Sequence, residues 1–147
     1  MKYYKSPFGW ISYEIKDNYL ISMGYTDSGI ASEVDFVSKA LDDYFSGKTK
    51  TFNIPYKILK GTDFQKKVWQ ALLDINYGET KTYKEIADIV GSKKAFRAVG
   101  GACKANPIGV VIPCHRVIGS NNKLTGYQGK SGILTKEKLI NFEKGNK

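Results

Sequence analysis

Histidine occurs once in the 147 residues, cysteine twice, and methionine and tryptophan twice each. Two cysteines are too few for a disulfide framework in a chain of this length. A structural zinc site takes four Cys or His ligands, and the chain holds three such residues in all. Neither a metal nor any other cofactor is therefore expected. No stretch approaches the roughly 20 apolar residues of a membrane span. The opening MKYYKSPFGW lacks the basic-then-apolar layout of a signal peptide. A cytoplasmic protein with no membrane partner is the expectation. Acidic residues are also scarce, with 14 Asp and Glu against 23 Lys and Arg, for a net charge of +9. That excess makes a polyanion the first partner to test, and the position of the charges must decide.

What is present divides into two parts. Residues 10–15 (WISYEI) and 19–25 (YLISMGY) alternate apolar and polar side chains around a KDN turn, as in a small antiparallel sheet. From about Ser32 to Phe45 the period becomes helical, with Val34, Val37, Leu41 and Tyr44 on one stripe and SGK closing the helix at a glycine. Residues 48–59, with Pro55, read as a connection. A second part opens at Thr62, where TDFQ has capping-box form and Phe64, Val68, Leu72 and Ile75 make a core stripe. A shorter helix follows in TYKEIADIVG, with Tyr83, Ile86, Ala87 and Val90 on one face. A turn at Gly91-Ser92 then leads into a helix over about Lys94 to Lys104, which completes a helix-turn-helix candidate.

On that last helix the predicted apolar face is Ala95, Ala98, Val99 and Ala102, and Arg97 and Lys104 point away from it. Gly100 and Gly101 cost helix stability but leave the surface beside Arg97 bare, which permits close approach of a bulky partner. A solvated face with glycines at a helix crossing would account for the same pattern. Beyond Asn106-Pro107, IGVVI reads as a buried strand ended by Pro113, with Cys114 and the single histidine, His115, at its end. Neighbours in extended chain point to opposite sides, so a thiol-imidazole exchange needs a bridging water or a turn at the proline. A small buried cysteine beside a hydrogen-bonded core histidine is the structural alternative.

Taken together, RAVGGACKANP followed by IPCHRV, a later GY and a closing leucine-bearing helix ending in Glu resemble the O6-alkylguanine-DNA alkyltransferase family. The resemblance runs from about Thr62 to Glu143. The part before it is similar only in LDDYFSGK and lacks the zinc-binding cysteines and histidines of some relatives. The resemblance implies an α+β fold in two parts. A small N-terminal ribonuclease H-like sheet-and-helix lobe would span 1–58. A helical C-terminal lobe with a winged-helix-like helix-turn-helix and the active-site cysteine would span 59–147.

It further implies one stoichiometric reaction, in which a cysteine thiolate takes the alkyl group from O6 of guanine, and from O4 of thymine, in double-stranded DNA. In this sequence the acceptor would be Cys114. Its proton would be removed by His115 through water, with Glu143 holding the imidazole; Glu137 is a substitute for Glu143, because the preceding loop is about two residues longer than usual. Asn106 would tie the site to the recognition helix. Arg97 would fill the space left by the flipped base, and Tyr83 would press on the flanking phosphate. Ser92, Lys84, Gln65 and Ser120 occupy DNA-contact positions. Tyr127 would cover the base, the carbonyls of Cys114 and Val117 would read its edge, and the backbone N–H of Gln128 would meet O6. Gly109 stands where some relatives have proline, and Cys103 is a bystander. A monomer is expected.

Two other classes remain open on the residues alone. A DNA-binding protein without chemistry would use the basic helix but not Cys114, His115, Asn106 and Glu143. A cysteine hydrolase would use those residues but not the helix.

Overall fold

The computed structural model describes residues 1–120, 124 and 132–147. Three strands, β1 (Lys2–Ser6), β2 (Gly9–Lys16) and β3 (Tyr19–Thr26), form an antiparallel meander in that order. The β2–β3 hairpin turns on Asp17 and Asn18, at φ 52° and 67°, the left-handed pair that a two-residue turn needs to match strand twist. Ile11 and Tyr13 of β2 and Leu20 and Met23 of β3 face inward and are buried. They meet Val37, Leu41 and Tyr44 of helix α1 (Phe36–Phe45) in one hydrophobic core. The helix is shorter than the predicted span. Asp35 caps it by accepting from the N–H groups of Val37 and Ser38, which fixes the start at Phe36 and leaves Val34 outside, 72% exposed rather than on the core stripe. Gly47, at φ 80°, closes it as expected, with its N–H donating to Tyr44 O.

The connection after α1 runs beside β3, with Leu20 N–H donating to Pro55 O (3.0 Å) and Lys57 N–H to Leu20 O (2.9 Å). Helix α2 (Asp63–Leu73) starts in the expected capping box of Thr62 and Gln65. A two-residue strand β4 (Lys81–Thr82) leads into α3 (Tyr83–Ile89), itself capped by Thr82 and Glu85. The turn at Gly91 (φ 80°) delivers α4 (Phe96–Lys104). Trp69 of α2 is buried and donates from its indole N–H to Ala102 O of α4 (2.8 Å), locking the two helices together.

Two readings of the sequence need correction here. Ala98 of α4 is exposed; the buried face is Val99 and Ala102, with Ala95 half-buried. The IGVVI run is buried but is no strand. It makes bridges at Ile108–Met23 and Gly109–Ile112, and Val110 sits at φ 72°, a conformation costly for a β-branched residue. A run of β-branched residues reports burial, and here a tight turn rather than a strand achieves it. The chain continues through a 3-10 turn, Cys114–Arg116, into β5 (Val117–Ile118), which pairs in parallel with β4. Helix α5 (Gly132–Gly145) closes the described chain and buries Thr135, Lys136, Leu139, Ile140 and Glu143. Among the described residues no helix is long and apolar enough to cross a membrane.

Candidate active site

The 3-10 turn answers the geometric difficulty of adjacent Cys and His. Pro113 O accepts from Arg116 N–H (3.0 Å), so Cys114, His115 and Arg116 wind round a turn instead of alternating across a strand. All three are buried, Cys114 to 4% exposure and His115 completely. Cys114 N–H donates to Ile112 O (2.8 Å), and the same carbonyl accepts from the Asn106 side-chain amide (2.8 Å). Asn106 Oδ1 in turn accepts from Ile108 N–H (3.0 Å), and Asn106 N–H donates to Cys103 O at the end of α4 (3.3 Å). Asn106 therefore links the end of α4 to the backbone that positions the thiol.

Glu143 is the hub of the charged groups. Its Oε2 lies 2.9 Å from His115 Nε2 and accepts from Arg116 Nη2 (2.9 Å) and from the Tyr44 hydroxyl (2.6 Å). Its Oε1 accepts from Arg116 Nε (2.8 Å), and Arg116 Nη1 donates to Ile75 O (2.8 Å). Burial alone would raise the carboxyl pKa, but His115 and Arg116 beside it hold it well below the usual carboxylate range. An ionised carboxylate only accepts, so Nε2 of His115 must carry a proton. In the neutral imidazole, Nδ1 is then the basic nitrogen. Glu137, the substitute considered from loop length, is exposed.

Two residues around this network were not singled out from sequence as part of the site. Tyr44 lay in a core stripe and read only as packing. Lys136 is 1% exposed, and its ammonium lies 3.4 Å from the Tyr83 hydroxyl and 5.6 Å from the centre of that ring. Among the described residues no carboxylate is within ion-pair distance of it. Burial pushes its pKa down, opposed by Cys114 and Cys103. A basic residue three and seven positions before Leu139 and Glu143, on the same helical face, was the available signal. Burial pushes the Cys103 thiol up to about 12.

The remaining site candidates are spread around this centre. Arg97, Lys84 and Ser120 are exposed, and Tyr83, Ser92 and Gln65 are half-buried. Gln65 Oε1 accepts from Thr62 N–H (3.0 Å), so its side chain caps α2. The Val117 side chain is fully buried. Tyr127 and Gln128 lie outside the described residues. The outer face of α4 carries Arg97, Ala98, Gly101, Lys104 and Ala105, all exposed, and a Cβ at Gly101 would meet nothing within 4 Å. Lys93 and Lys94 precede it, also exposed. Among the described residues no group of three His, Cys, Asp or Glu could hold a metal ion.

Comparison with known proteins bears on this geometry. Residues 63–145 match the model of the 6-O-methylguanine DNA methyltransferase DNA-binding domain. The methylated-DNA–protein-cysteine methyltransferase of Methanosarcina barkeri is 54% identical over 109 residues, 74% of this chain and 67% of the relative. The crystal structure of Mycobacterium tuberculosis O6-methylguanine methyltransferase superimposes with a TM-score of 0.88 at 36% identity, covering 99% of this chain and 93% of that one. The structure of the same organism's OGT in complex with DNA gives 0.86 at 38% identity, over 99% and 92%. A match over more than half the chain, agreement along nearly all of it and a cysteine-histidine turn held by a buried glutamate lead to one conclusion: the chain belongs to the O6-methylguanine DNA methyltransferase family.

Proposed function

We propose that the protein repairs DNA by direct reversal, moving an alkyl group from O6 of guanine, or O4 of thymine, to Cys114 in one irreversible event per molecule. A free cysteine thiol has a pKa of about 8.5, so an efficient acceptor needs a base to take its proton. His115 does this at Nδ1, directly or through a water, while Nε2–H donates to Glu143 and the resulting imidazolium is balanced by that carboxylate. The nearby Lys136 charge favours the thiolate. Sulfur attacks the alkyl carbon, the carbon–O6 bond breaks, and the proton held by His115 goes to the departing guanine. The products are a thioether on Cys114 and an intact base.

A buried thiol cannot reach a base stacked in duplex, so the base must be flipped out, at a cost of a few kcal/mol. We assign α3, the Gly91 turn and α4 as the helix-turn-helix, with α4 entering the minor groove by its bare face and Arg97 filling the vacated stack. Tyr83, whose ring lies beside Gly100 of α4 and whose hydroxyl lies beside Lys136, would meet the phosphate beside the flipped base. Ser92, Lys84 and Ser120 add backbone contacts. The meander with α1 packed on it supports reading 1–58 as a small ribonuclease H-like lobe and 59–147 as the DNA-binding and acceptor lobe.

The observation that carries this reading is the buried turn in which Cys114 adjoins a histidine whose outer nitrogen is committed to Glu143. Replacement of each cysteine in turn tests it. Cys114→Ser should lose all transfer from an O6-methylguanine oligonucleotide yet still bind DNA, whereas Cys103→Ser should keep transfer, since its protonated thiol is a poor nucleophile. Undiminished transfer by Cys114→Ser would remove the assignment.

A further inference from the structure

The N-terminal lobe reaches the Glu143 carboxylate with one side chain. Tyr44 belongs to α1, 99 residues before Glu143, and its hydroxyl donates to Oε2 across 2.6 Å from a fully buried position. An ionised carboxylate offers about four lone-pair positions. Four donors meet the carboxylate here: Tyr44 Oη, His115 Nε2, Arg116 Nη2 and Arg116 Nε. Three of the four converge on Oε2, the oxygen that faces the imidazole.

We propose that Tyr44 is a positioning residue for alkyl transfer, through which the N-terminal lobe sets the orientation of Glu143 and the proton affinity of His115. The inference rests on Cys114 being the acceptor and His115 its base. By donating to Oε2, the Tyr44 hydroxyl withdraws negative charge from the atom that stabilises the imidazolium. A less negative Oε2 stabilises the imidazolium less. Among the described residues, the other titratable or charged groups around the pair include Cys114 and Arg116 on the turn, Tyr77 after α2, and Lys136 on α5.

The same lobe also braces the other side of the site. Met23 of β3 exchanges two backbone hydrogen bonds with the Asn106 loop, from its N–H to Pro107 O (2.9 Å) and to its O from Gly109 N–H (2.9 Å). Both supports of the thiol turn, Asn106 and Glu143, are thus anchored to the N-terminal sheet and helix. The lobe is part of the reacting machinery rather than an appendage to the DNA-binding half.

Tyr44→Phe removes the hydroxyl and keeps the ring packed on Phe45, Phe52 and Phe142. Because the chain has one histidine, its imidazole NMR signals report His115 without assignment. In the full-length variant the imidazole titration midpoint should move up. The acid limb of the pH–rate profile for methyl transfer should move with it, so that transfer at neutral pH slows about tenfold and recovers at higher pH. A packing defect would not be rescued by pH. Tyr77→Phe is the matched control: it deletes a buried hydroxyl that makes no hydrogen bond among the described residues, and it should leave both curves in place. An unshifted His115 midpoint and rate profile in Tyr44→Phe, or an equal shift in Tyr77→Phe, would overturn the proposal. Absence of transfer in the unaltered protein would instead remove the reading on which it rests.

Discussion

At Lys136 the chain buries an ammonium, 1% exposed, with no carboxylate within ion-pair distance among the described residues. Such a group costs stability, and the cost of a buried, incompletely compensated charge is commonly one or more kcal/mol. In the proposed reaction its value is chemical, because a positive charge interacting with Cys114 favours the thiolate over the thiol. Lys136→Met keeps length and apolar stem while deleting the charge. It should melt at a higher temperature than the parent protein and transfer methyl groups about tenfold more slowly, because the charge that favours the thiolate is gone. Melting curves and single-turnover rates on the same preparations check both halves. A variant that is no more stable, or one that is equally fast, would remove the trade-off.

Helix α4 leaves Arg97, Gly101 and Lys104 on the side that does not pack, the side proposed to meet DNA. Gly101 has ordinary helical backbone and open space at its Cβ, so Gly101→Ala should raise stability by about 0.5–1 kcal/mol. Gly101→Leu should weaken duplex binding, because it fills the surface that the groove must approach, while transfer from the free-base analogue benzylguanine stays the same. Arg97→Ala should slow transfer from duplex by about tenfold or more and spare benzylguanine. Equal loss on both substrates would assign Arg97 to the pocket instead of to flipping. The elements themselves were legible wherever local chemistry specifies them: the Thr62–Gln65 box, the Gly47 and Gly91 stops, and the Asp17-Asn18 hairpin. The start of α1 was missed because its box pairs Asp35 with Ser38, where the readable signal is Glu or Gln. IGVVI misled because a β-branched run looks the same in a strand and in a buried turn; only the tertiary pairing of Ile108 with Met23 separates them. Cys114, His115, Asn106 and Glu143 were found through the motif resemblance. The hydroxyl of Tyr44 was not, since nothing local to α1 marks which apolar-stripe tyrosine meets a charge.

For the whole molecule, the charge excess and the Glu143 network make opposite demands on conditions. A net +9 predicts duplex binding that weakens steeply with salt, largely independent of sequence, as suits a protein that scans DNA. The Glu143 carboxyl is held below its ordinary pKa in the folded state, so its contribution to stability is fully present above the ordinary carboxylate range. That contribution is lost as pH falls from there toward the folded-state value. Thermal melts between about pH 6 and pH 3 should therefore show a steep acid loss in the parent protein, and a smaller one in Glu143→Gln, which has no carboxyl to titrate. Parallel acid losses would mean that other groups govern acid unfolding. Alkylation acts from inside the same network: an added methyl in a packed pocket costs about 1–3 kcal/mol, so the product should melt lower than the free protein. The most direct measurement weighs the protein and maps its peptides after incubation with excess O6-methylguanine duplex. The account predicts one added methyl group per chain, on Cys114, with an equal amount of guanine restored and no further turnover. Continued turnover, or a methyl group on any residue other than Cys114, would contradict it.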